Sequence, residues 1–471
     1  MAHRPIRIST IRHSVARKIC VVFLISVLGG GTVVLATPSG TEAAGTKALQ
    51  PGWPEFRGPW GNGIAAPPGA PLGLPLVWNE TTNIKWKTPI PLQGWSSPVV
   101  MEGNVWVTTA TLDGHDFYVI CLDAETGKIL FNEKMFHSDT PEPLGNNVNS
   151  YASPSPVIEP GRVYVHFGSY GTACLDTATC QPIWKRQDLP CRHYRGPGSS
   201  PVLFEDLLIL TFDGADLQYL AALDKKTGKT VWKTDRSTVW HDFDDQGNVK
   251  REGDFRKAFS TPLIIDGGGK QQMITLGSTT AFSYDPRTGQ EIWKVRMPGY
   301  TPAARPVYGN GLAYITSGRG VIELLAVRVD GRGDVTDTHV AWKMEGRGVP
   351  EEPSPLLVGD LLYTVSNDGI VTCLEGATGD KVWSERLGGN YEASPLYADD
   401  RIYFINVQGK ATVIKPGRAF EVLAVSKLDT GCMASPAVAQ NALFIRTKTD
   451  LYRVEGNAPV ADSVPSGTPS Q

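Results

Sequence analysis

Short runs of alternating apolar and polar residues, broken by turn residues, recur along most of the chain. In residues 355–384 an apolar stretch is followed by alternating stretches at 361–365 and 370–374, and then by a last stretch around Trp383. Asn, Asp and Gly fill the intervening turns, as tight hairpins require. The pattern predicts units of four short antiparallel strands rather than helices.

One short motif opens each unit. A small hydroxyl residue and a proline precede an apolar strand at Ser97, Ser155, Ser200, Thr261, Ser354, Ser394 and Ser435, and a degraded copy stands at Arg305-Pro306. Eight copies with a period of roughly forty to sixty residues are typical of a propeller or solenoid rather than of separate domains.

The last unit is incomplete. It stops after residues 450–454 without a fourth strand, whereas residues 83–87, with Trp86, form a strand that belongs to no unit. Pairing these two ends would close a ring and leave no free edge at the seam. We therefore predict an all-β fold, an eight-bladed β-propeller of four-stranded antiparallel blades over residues 83–455, closed by an N-terminal strand.

Residues 1–36 have the layout of a secretory signal peptide. Five basic residues and no acidic ones flank the start of an apolar run at 19–35, and small residues precede a cleavage site after Ala36. We expect an exported protein, periplasmic or secreted, with a retained N-terminal anchor as the alternative. No other stretch approaches 18 apolar residues, so no integral membrane span is predicted after signal cleavage.

The remaining segments are short. Residues 37–52 are rich in Thr, Ser, Ala and Gly and are predicted to be a flexible linker, and residues 456–471 a disordered tail. Residues 53–82 form a lead-in to the propeller. The net charge is −3, and removal of the signal peptide makes it more negative. That balance argues against nucleic acid as a partner.

A longer motif surrounds the turn before the last strand of several units. It stands as Asp224-x-x-Thr227-Gly228-Lys229-x-x-Trp232, and a second copy runs from Asp285 to Trp293. This motif resembles the tryptophan-docking repeat of PQQ-like (quinoprotein alcohol dehydrogenase-like) propellers. Residues 53–59 also resemble the lead-in of exported bacterial PQQ-like repeat proteins. The resemblance covers about 400 residues and implies the propeller fold, with the repeated aromatic rings packed between blades.

The resemblance implies two functional branches. PQQ-dependent alcohol dehydrogenases carry an adjacent cysteine pair, a Ca²⁺ site and a catalytic Asp. This chain has no adjacent cysteines, so no cofactor is predicted, and PQQ with Ca²⁺ is kept as an alternative. BamB-like propellers of the outer-membrane assembly machinery bind protein partners and catalyse nothing. Those proteins are lipoproteins, and this chain lacks a lipid-attachment cysteine after its apolar run.

Geometry suggests where a ligand would bind. Residues just before each opening proline should ring one mouth of the central channel, and they mix aromatic, basic and acidic side chains as binding pockets do. In this role we place Trp95, Tyr151, His193, Tyr194, Arg195, Lys257, Phe259, Arg305, Glu351, Glu352, Tyr391, Glu392 and Met433. Of these, Arg195, Lys257 and Arg305 would receive an anionic group, while Tyr151 and Trp95 would stack. The alternative is a hydrated mouth with no ligand.

Other candidate chemistry is weak. Residues 241–248 space acids around a glycine, but their ligand positions do not match an EF-hand loop. Cys121, Cys174 and Cys373 occupy the same place in three units, which indicates packing, and no disulfide is predicted.

We therefore predict an exported, non-catalytic binding or scaffold propeller, with a protein or small-molecule partner in the cell envelope. The alternatives are a PQQ- or metal-dependent oxidoreductase, and a hydrolase or lyase that uses the ring of acids and bases.

Overall fold

The computed structural model of the protein describes residues 52–456. Within that range the chain forms eight small sheets and one short 3-10 helix, which confirms the predicted all-β, eight-bladed propeller. The predicted signal peptide, nearly all of the predicted linker and the predicted tail beyond residue 456 lie outside the described residues. No helix among residues 52–456 is long and apolar enough to cross a membrane.

Strand β1 (Ile84–Pro89) comes first in the chain but completes the last blade. The first three blades follow it in order. Blade 1 contains β2 (Val99–Met101), β3 (Asn104–Ala110), β4 (Asp116–Asp123) and β5 (Ile129–His137). Blade 2 contains β6 (Val157–Glu159), β7 (Arg162–His166), β8 (Thr172–Asp176) and β9 (Pro182–Arg186). Blade 3 contains β10 (Val202–Phe204), β11 (Leu207–Asp213), β12 (Gln218–Asp224) and β13 (Thr230–Asp235).

A long insertion holding the 3-10 helix η1 (Lys250–Arg256) leads to the next blades. Blade 4 contains β14 (Leu263–Gly267), β15 (Lys270–Gly277), β16 (Thr280–Tyr284) and β17 (Glu291–Arg296). Blade 5 contains β18 (Val307–Gly309), β19 (Leu312–Thr316), β20 (Glu323–Arg328) and β22 (Val340–Glu345), while β21 (Gly333–Asp334) joins the edge of blade 4 in parallel. Blade 6 contains β23 (Leu356–Val358), β24 (Leu361–Val365), β25 (Ile370–Glu375) and β26 (Lys381–Arg386).

The last two blades close the ring. Blade 7 contains β27 (Leu396–Ala398), β28 (Arg401–Ile405), β29 (Lys410–Ile414) and β30 (Val422–Lys427). Blade 8 contains β31 (Ala437–Ala439), β32 (Ala442–Arg446) and β33 (Asp450–Glu455), and β1 pairs antiparallel with β33 as its fourth strand. The predicted closure by an N-terminal strand is therefore confirmed.

Hydroxyl groups link neighbouring blades around the channel. In the opening dipeptides the backbone N–H of one blade donates to the side-chain oxygen of the next, as Ser97 does to Ser155 at 2.8 Å and Ser200 to Thr261 at 2.9 Å. Small hydroxyl residues are required here because each side chain bridges two backbones that pack closely. Arg305 takes the place of the hydroxyl residue in blade 5, and its backbone N–H continues the chain of bonds to Ser354.

The apolar core lies between blades. The Thr-Gly turn before the last strand of a blade, called the docking turn below, packs against the aromatic ring of the preceding blade. In blade 3, for example, the Lys225 carbonyl of this turn accepts a hydrogen bond from the Trp184 indole at 3.0 Å. Gly228 of the same turn has φ +72°, and a Cβ there would meet the Trp184 ring at 2.7 Å. Glycine is therefore needed both for the left-handed backbone and for the close approach.

The lead-in crosses the end of the channel opposite the residues that precede the prolines. Trp53 bridges to Val100, the N–H of Ile158 donates to the Pro54 carbonyl, and Ile64 bridges to Tyr397. These contacts join blades 1, 2 and 7, so the lead-in closes the channel at that end.

Candidate functional site

The central channel is a blind cavity of about 360 Å³. Its floor includes Phe56 of the lead-in, and hydroxyl residues of the opening dipeptides, such as Ser97 and Ser200, line its depth. The loops that precede the prolines form its mouth, together with turns between the second and third strands of blades. A pocket closed at one end can hold a ligand or a projecting chain segment from the other.

One part of the wall is aromatic and apolar. Trp95, Phe259 and Met433 line the cavity. The indole nitrogen of Trp95 is buried and has no hydrogen-bond partner among the described residues. A buried donor of this kind costs free energy unless it is satisfied, so it could serve an acceptor on a ligand.

The basic part of the wall is a network around one carboxylate. Arg195 forms two hydrogen bonds to Asp254, at 2.9 and 3.2 Å, and Lys257 also donates to Asp254. Burial opposes ionisation of Asp254, but these two cations lower the pKa of its carboxyl overall. The ring of Tyr194 faces both cations, with Arg195 at 4.9 Å and Lys257 at 4.8 Å from its centroid. Arg195 is therefore held in position by groups behind it.

The acidic part lies on blades 6 and 7. Arg319 contacts Glu352 at 2.7 Å and Glu351 at 3.4 Å. The amide nitrogen of Asn367 donates to Glu352 and lies 3.5 Å from the carboxylate of Glu392. Burial and then the charge of Glu352 raise the pKa of Glu392 to about 8. Two carboxylates thus pair with one guanidinium, while Glu392 contacts the Asn367 amide instead.

The insertion between blades 3 and 4 brings further residues to the mouth. Arg251, Asp254 and Phe255 line the cavity from η1, and the guanidinium of Arg251 lies 4.6 Å from the Phe255 ring centroid. Phe255 in turn packs edge-on against Tyr300, with centroids 4.4 Å apart. Arg251 and Glu252 have positive φ, at 49° and 54°. Left-handed non-glycine residues at a cavity are a form of stored strain that frequently marks a functional segment.

The structure brings part of the predicted site together. The side chains of Trp95, Arg195, Glu352 and Glu392 line the cavity, as do Phe259 and Met433. Tyr194 and Lys257 lie behind Arg195 and Asp254, and Glu351 contacts Arg319.

Four predicted site residues lie elsewhere. Tyr151, His193 and Tyr391 are buried among blade residues, and the Tyr151 hydroxyl donates to the Glu142 carbonyl. Arg305 points to the closed end, where it bonds the carbonyls of Phe56 and Pro262 and the carboxylate of Glu55. Neighbouring residues of an extended loop point in different directions, so proximity to the proline does not place every side chain in the channel.

Sequence reasoning missed Arg319, Arg251 and Asp254. Arg319 lies in the turn after β19, and turns between second and third strands reach the same end of the channel as the loops before the prolines. Recognition of that shared end would have included it. Arg251 and Asp254 belong to the insertion, whose path across the mouth has no counterpart in the repeat.

The acids at 241–248 bind protein groups rather than one another. Asp242 forms two hydrogen bonds to Arg256, and Asp244 accepts from the backbone of Gln246 and Asn248. Between residues 52 and 456, no group of three or more His, Cys, Asp or Glu is arranged to hold a metal ion. No cysteine of that range lines the cavity, so the adjacent cysteine pair of PQQ-dependent alcohol dehydrogenases has no counterpart in its wall.

The chain is similar to known proteins along most of its length. The family model described as "Outer membrane protein assembly factor BamB" matches residues 76–238 and 216–457. The outer membrane protein assembly factor BamB of Shewanella oneidensis is 20% identical over 318 residues, covering 64% of this chain and 74% of that protein.

Solved structures show the same fold. BamB from Moraxella catarrhalis matches with a TM-score of 0.52 and 14% identity, covering 79% of this chain and 99% of that chain. A europium-containing methanol dehydrogenase matches with a TM-score of 0.59 and 12% identity, covering 85% and 90% respectively. At such identities these structures share the fold alone. The family model, in contrast, covers both halves of the propeller, and the chain belongs to the BamB family of PQQ-like repeat propellers.

Proposed function

We propose that the protein is an exported, non-catalytic propeller of the cell envelope that holds a segment of a protein partner in its central cavity. Membership of a family described as outer membrane protein assembly factors supports a scaffold role. The signal-like layout of residues 1–36 supports export. A small-molecule occupant is a competing outcome of the experiment below.

The observation that carries this proposal is a cavity closed at one end, whose mouth holds two ionisable groups, Glu392 and Arg251, without an ion-pair partner among the described residues. Glu392 is largely buried, and its contact in the network is the amide of Asn367 rather than a bonded cation. Arg251 stacks on Phe255 and forms no ion pair among the described residues. A peptide segment with one cationic and one anionic side chain would satisfy both groups by charge-assisted hydrogen bonds.

Peptide binding tests this assignment directly. We would measure fluorescence anisotropy with short labelled peptides that carry a Lys and an Asp separated by alanines, using an all-alanine peptide for comparison. The charged peptide should bind more tightly, and E392Q or R251A should weaken that binding about tenfold, the loss of about 1.4 kcal/mol. R418A is the matched control, because Arg418 is exposed and pairs with Glu375 away from the cavity.

Each contrary result has a clear meaning. Equal binding of both peptides, or equal affinity of E392Q, R251A and the parent protein, would contradict the cavity assignment. PQQ with Ca²⁺ provides the second arm, followed by absorbance and melting temperature. A saturable change in both would favour the oxidoreductase alternative over the scaffold.

Export has its own test. Expression of the full chain in a Gram-negative host, with fractionation and N-terminal sequencing, should recover a periplasmic protein that begins after Ala36. Recovery of the intact chain in the cytoplasm would contradict export without affecting the peptide-binding result.

A further inference from the structure

The docking turn between blades 1 and 2 differs from the other docking turns. In blades 3, 4 and 6 the left-handed turn position is Gly228, Gly289 or Gly379, and each glycine lies directly against the tryptophan of the preceding blade. A Cβ at Gly379 would come within 2.6 Å of the Trp342 ring. Any larger side chain at these positions would therefore collide with the indole.

Blade 2 has Cys180 at this position. Its φ is +59°, so it has the left-handed backbone that glycine has in the other turns. Unlike glycine, a cysteine in this conformation costs free energy because of its Cβ. The preceding blade carries Phe131 where blades 2 to 6 and blade 8 carry tryptophan, and the smaller ring leaves room for a side chain. Two departures from the repeat thus occur together and accommodate each other.

The two departures bring a second thiol within reach. Cys121 lies on β4 directly opposite Phe131, and Cys180 packs against the same core cluster from the next blade. Cys121 and Cys180 thus belong to one core cluster between blades 1 and 2, where each thiol is close enough to perturb the pKa of the other. Both are free thiols in this structure.

The equivalent cysteines of other blades provide an internal comparison. Cys174 and Cys373 occupy the position of Cys121 on the third strands of blades 2 and 6. Cys174 lies opposite Tyr164 of β7, and the thiol of Cys373 points to the Gly417 carbonyl. A thiol faces another thiol only at Cys121 among these three positions.

We propose that Cys121 and Cys180 are a modification site, at which an oxidising disulfide compound converts the two thiols into one disulfide between blades 1 and 2. Cys180 is partly exposed and reacts first: its thiolate attacks the oxidant, forms a mixed disulfide and releases one thiol. The sulfur of Cys121, after loss of its proton, then displaces the second thiol. Two S–H bonds break, one protein S–S bond forms, and two electrons and two protons pass to the oxidant.

Burial raises the pKa of both thiols. The thiolate is therefore scarce at neutral pH, and the reaction is faster in mildly alkaline solution. An oxidising compartment such as the periplasm would maintain the bond. The chemistry does not depend on the proposed function, since it follows from the two side chains alone.

The experiment uses the folded full chain. The protein is incubated with glutathione disulfide at pH 8.5, alkylated and digested, and its free thiols are counted before and after incubation. We expect the loss of two thiols, those of Cys121 and Cys180, with a cross-linked peptide pair that contains both residues. Tm should be higher in the oxidised protein than after reduction.

C180G and C373A test whether the lost thiols are those of Cys121 and Cys180. C180G restores the glycine of the other docking turns, so it should fold and lose no thiols on oxidation. C373A should behave as the parent protein and still lose two. Absence of the cross-linked pair from a protein that remains folded, or a stable glutathione adduct on Cys180 without the cross-link, would overturn the proposal.

Discussion

The backbone N–H of Ser435 donates to the hydroxyl of Ser97 at 3.0 Å, across 338 residues of sequence. This bond joins blade 8 to blade 1 at the inner rim, where every opening dipeptide except that of blade 4, which precedes Arg305, donates to the hydroxyl of the next. At the outer rim the same two ends are joined by β1, whose Thr88 lies opposite Leu451 of β33. The ring is therefore closed at two radii, by one hydroxyl inside and one strand outside.

The hydroxyl of Ser97 should contribute measurably to stability. Ser97→Ala removes the acceptor of the buried Ser435 N–H, and an unsatisfied buried group costs about 1–3 kcal/mol. Urea denaturation should show a lower midpoint for this variant. Ser97→Thr is the matched variant, because Thr261 fills the equivalent place in blade 4, and it should retain most of the stability. A midpoint unchanged by Ser97→Ala would show that the inner bond does not hold the ring.

The fold was predictable because several levels of the sequence agree. Strand pattern, turn residues, the repeated dipeptide and the incomplete last unit all favour the same closed ring, and such consistency specifies a fold. The hydroxyl chain itself was not predicted. The dipeptides marked the repeat, but the bond from Ser97 to Ser155 depends on the spacing between blades, which no single repeat encodes.

The candidate site was only partly predictable. Trp95 and Glu392 line the cavity as the position before each proline indicates, whereas Tyr391 beside Glu392 points into the blades. Local sequence does not specify which of two adjacent loop side chains faces inward. Arg251 reaches the mouth from an insertion, and its position depends on tertiary contacts such as the stacking on Phe255.

Two glycine substitutions distinguish the stability lost through a steric clash at a docking turn from the stability lost through backbone strain. Gly289→Ala places a Cβ 2.6 Å from the Trp232 ring at φ +71°, whereas Gly311→Ala has φ +76° and no atom within 4 Å. Both substitutions place an alanine in the left-handed region, which lowers the free energy of unfolding by about 1–2 kcal/mol. Gly289→Ala should lose more, and the difference in unfolding free energy reports the packing between blades 3 and 4. Equal losses would mean that the blades shift without cost.

The lead-in should depend on Arg305. Its guanidinium donates to Phe56 and Pro262 carbonyls and pairs with Glu55 at 3.1 Å. Arg305→Ala leaves these acceptors unpaired, and loss of one partner of a buried pair costs about 3–5 kcal/mol. Burial and then the charge of Arg305 lower the pKa of Arg57. Arg305→Ala removes the repulsion between these two cations, which offsets part of the lost stability.

Limited proteolysis is the direct measurement for Arg305. The variant should be cleaved within the lead-in, before β1, faster than the parent protein, with a lower Tm. Arg418→Ala removes an exposed guanidinium and should change stability by less than about 0.5 kcal/mol. Equal cleavage rates in the Arg305 variant and the parent would contradict the anchoring role.

Two buried histidines should make the protein sensitive to acid. Burial lowers the pKa of His166 to about 3 and that of His193 to about 4, below the usual value near 6.5. Between the folded pKa values and about 6.5, the folded state therefore binds fewer protons than the unfolded state. The free energy of unfolding falls as pH decreases from about 6.5 toward 4. His193→Gln should reduce the loss between pH 7 and pH 4.5 in urea denaturation. His241→Gln, at an exposed position, should show the full loss.

Glu392 should make the protein less stable as pH rises, in contrast to the two histidines, which lower its stability in acid. Its pKa is raised to about 8, chiefly by burial, from an ordinary value of 4.5. The folded state then holds a proton that the unfolded state has released, so stability decreases as pH rises from about 4.5 to 8, by at most about 1.4 kcal/mol per pH unit.

Glu392→Gln isolates this contribution, because the amide stays neutral throughout. The variant should gain stability over the parent protein as pH rises from 5 to 8, whereas Glu385→Gln on the exposed outer strand should follow the parent. A cationic ligand would favour ionised Glu392, so the charged peptide should bind more tightly at pH 8.5 than at pH 6. That pH dependence should disappear in Glu392→Gln. Persistence of the dependence would assign it to another group.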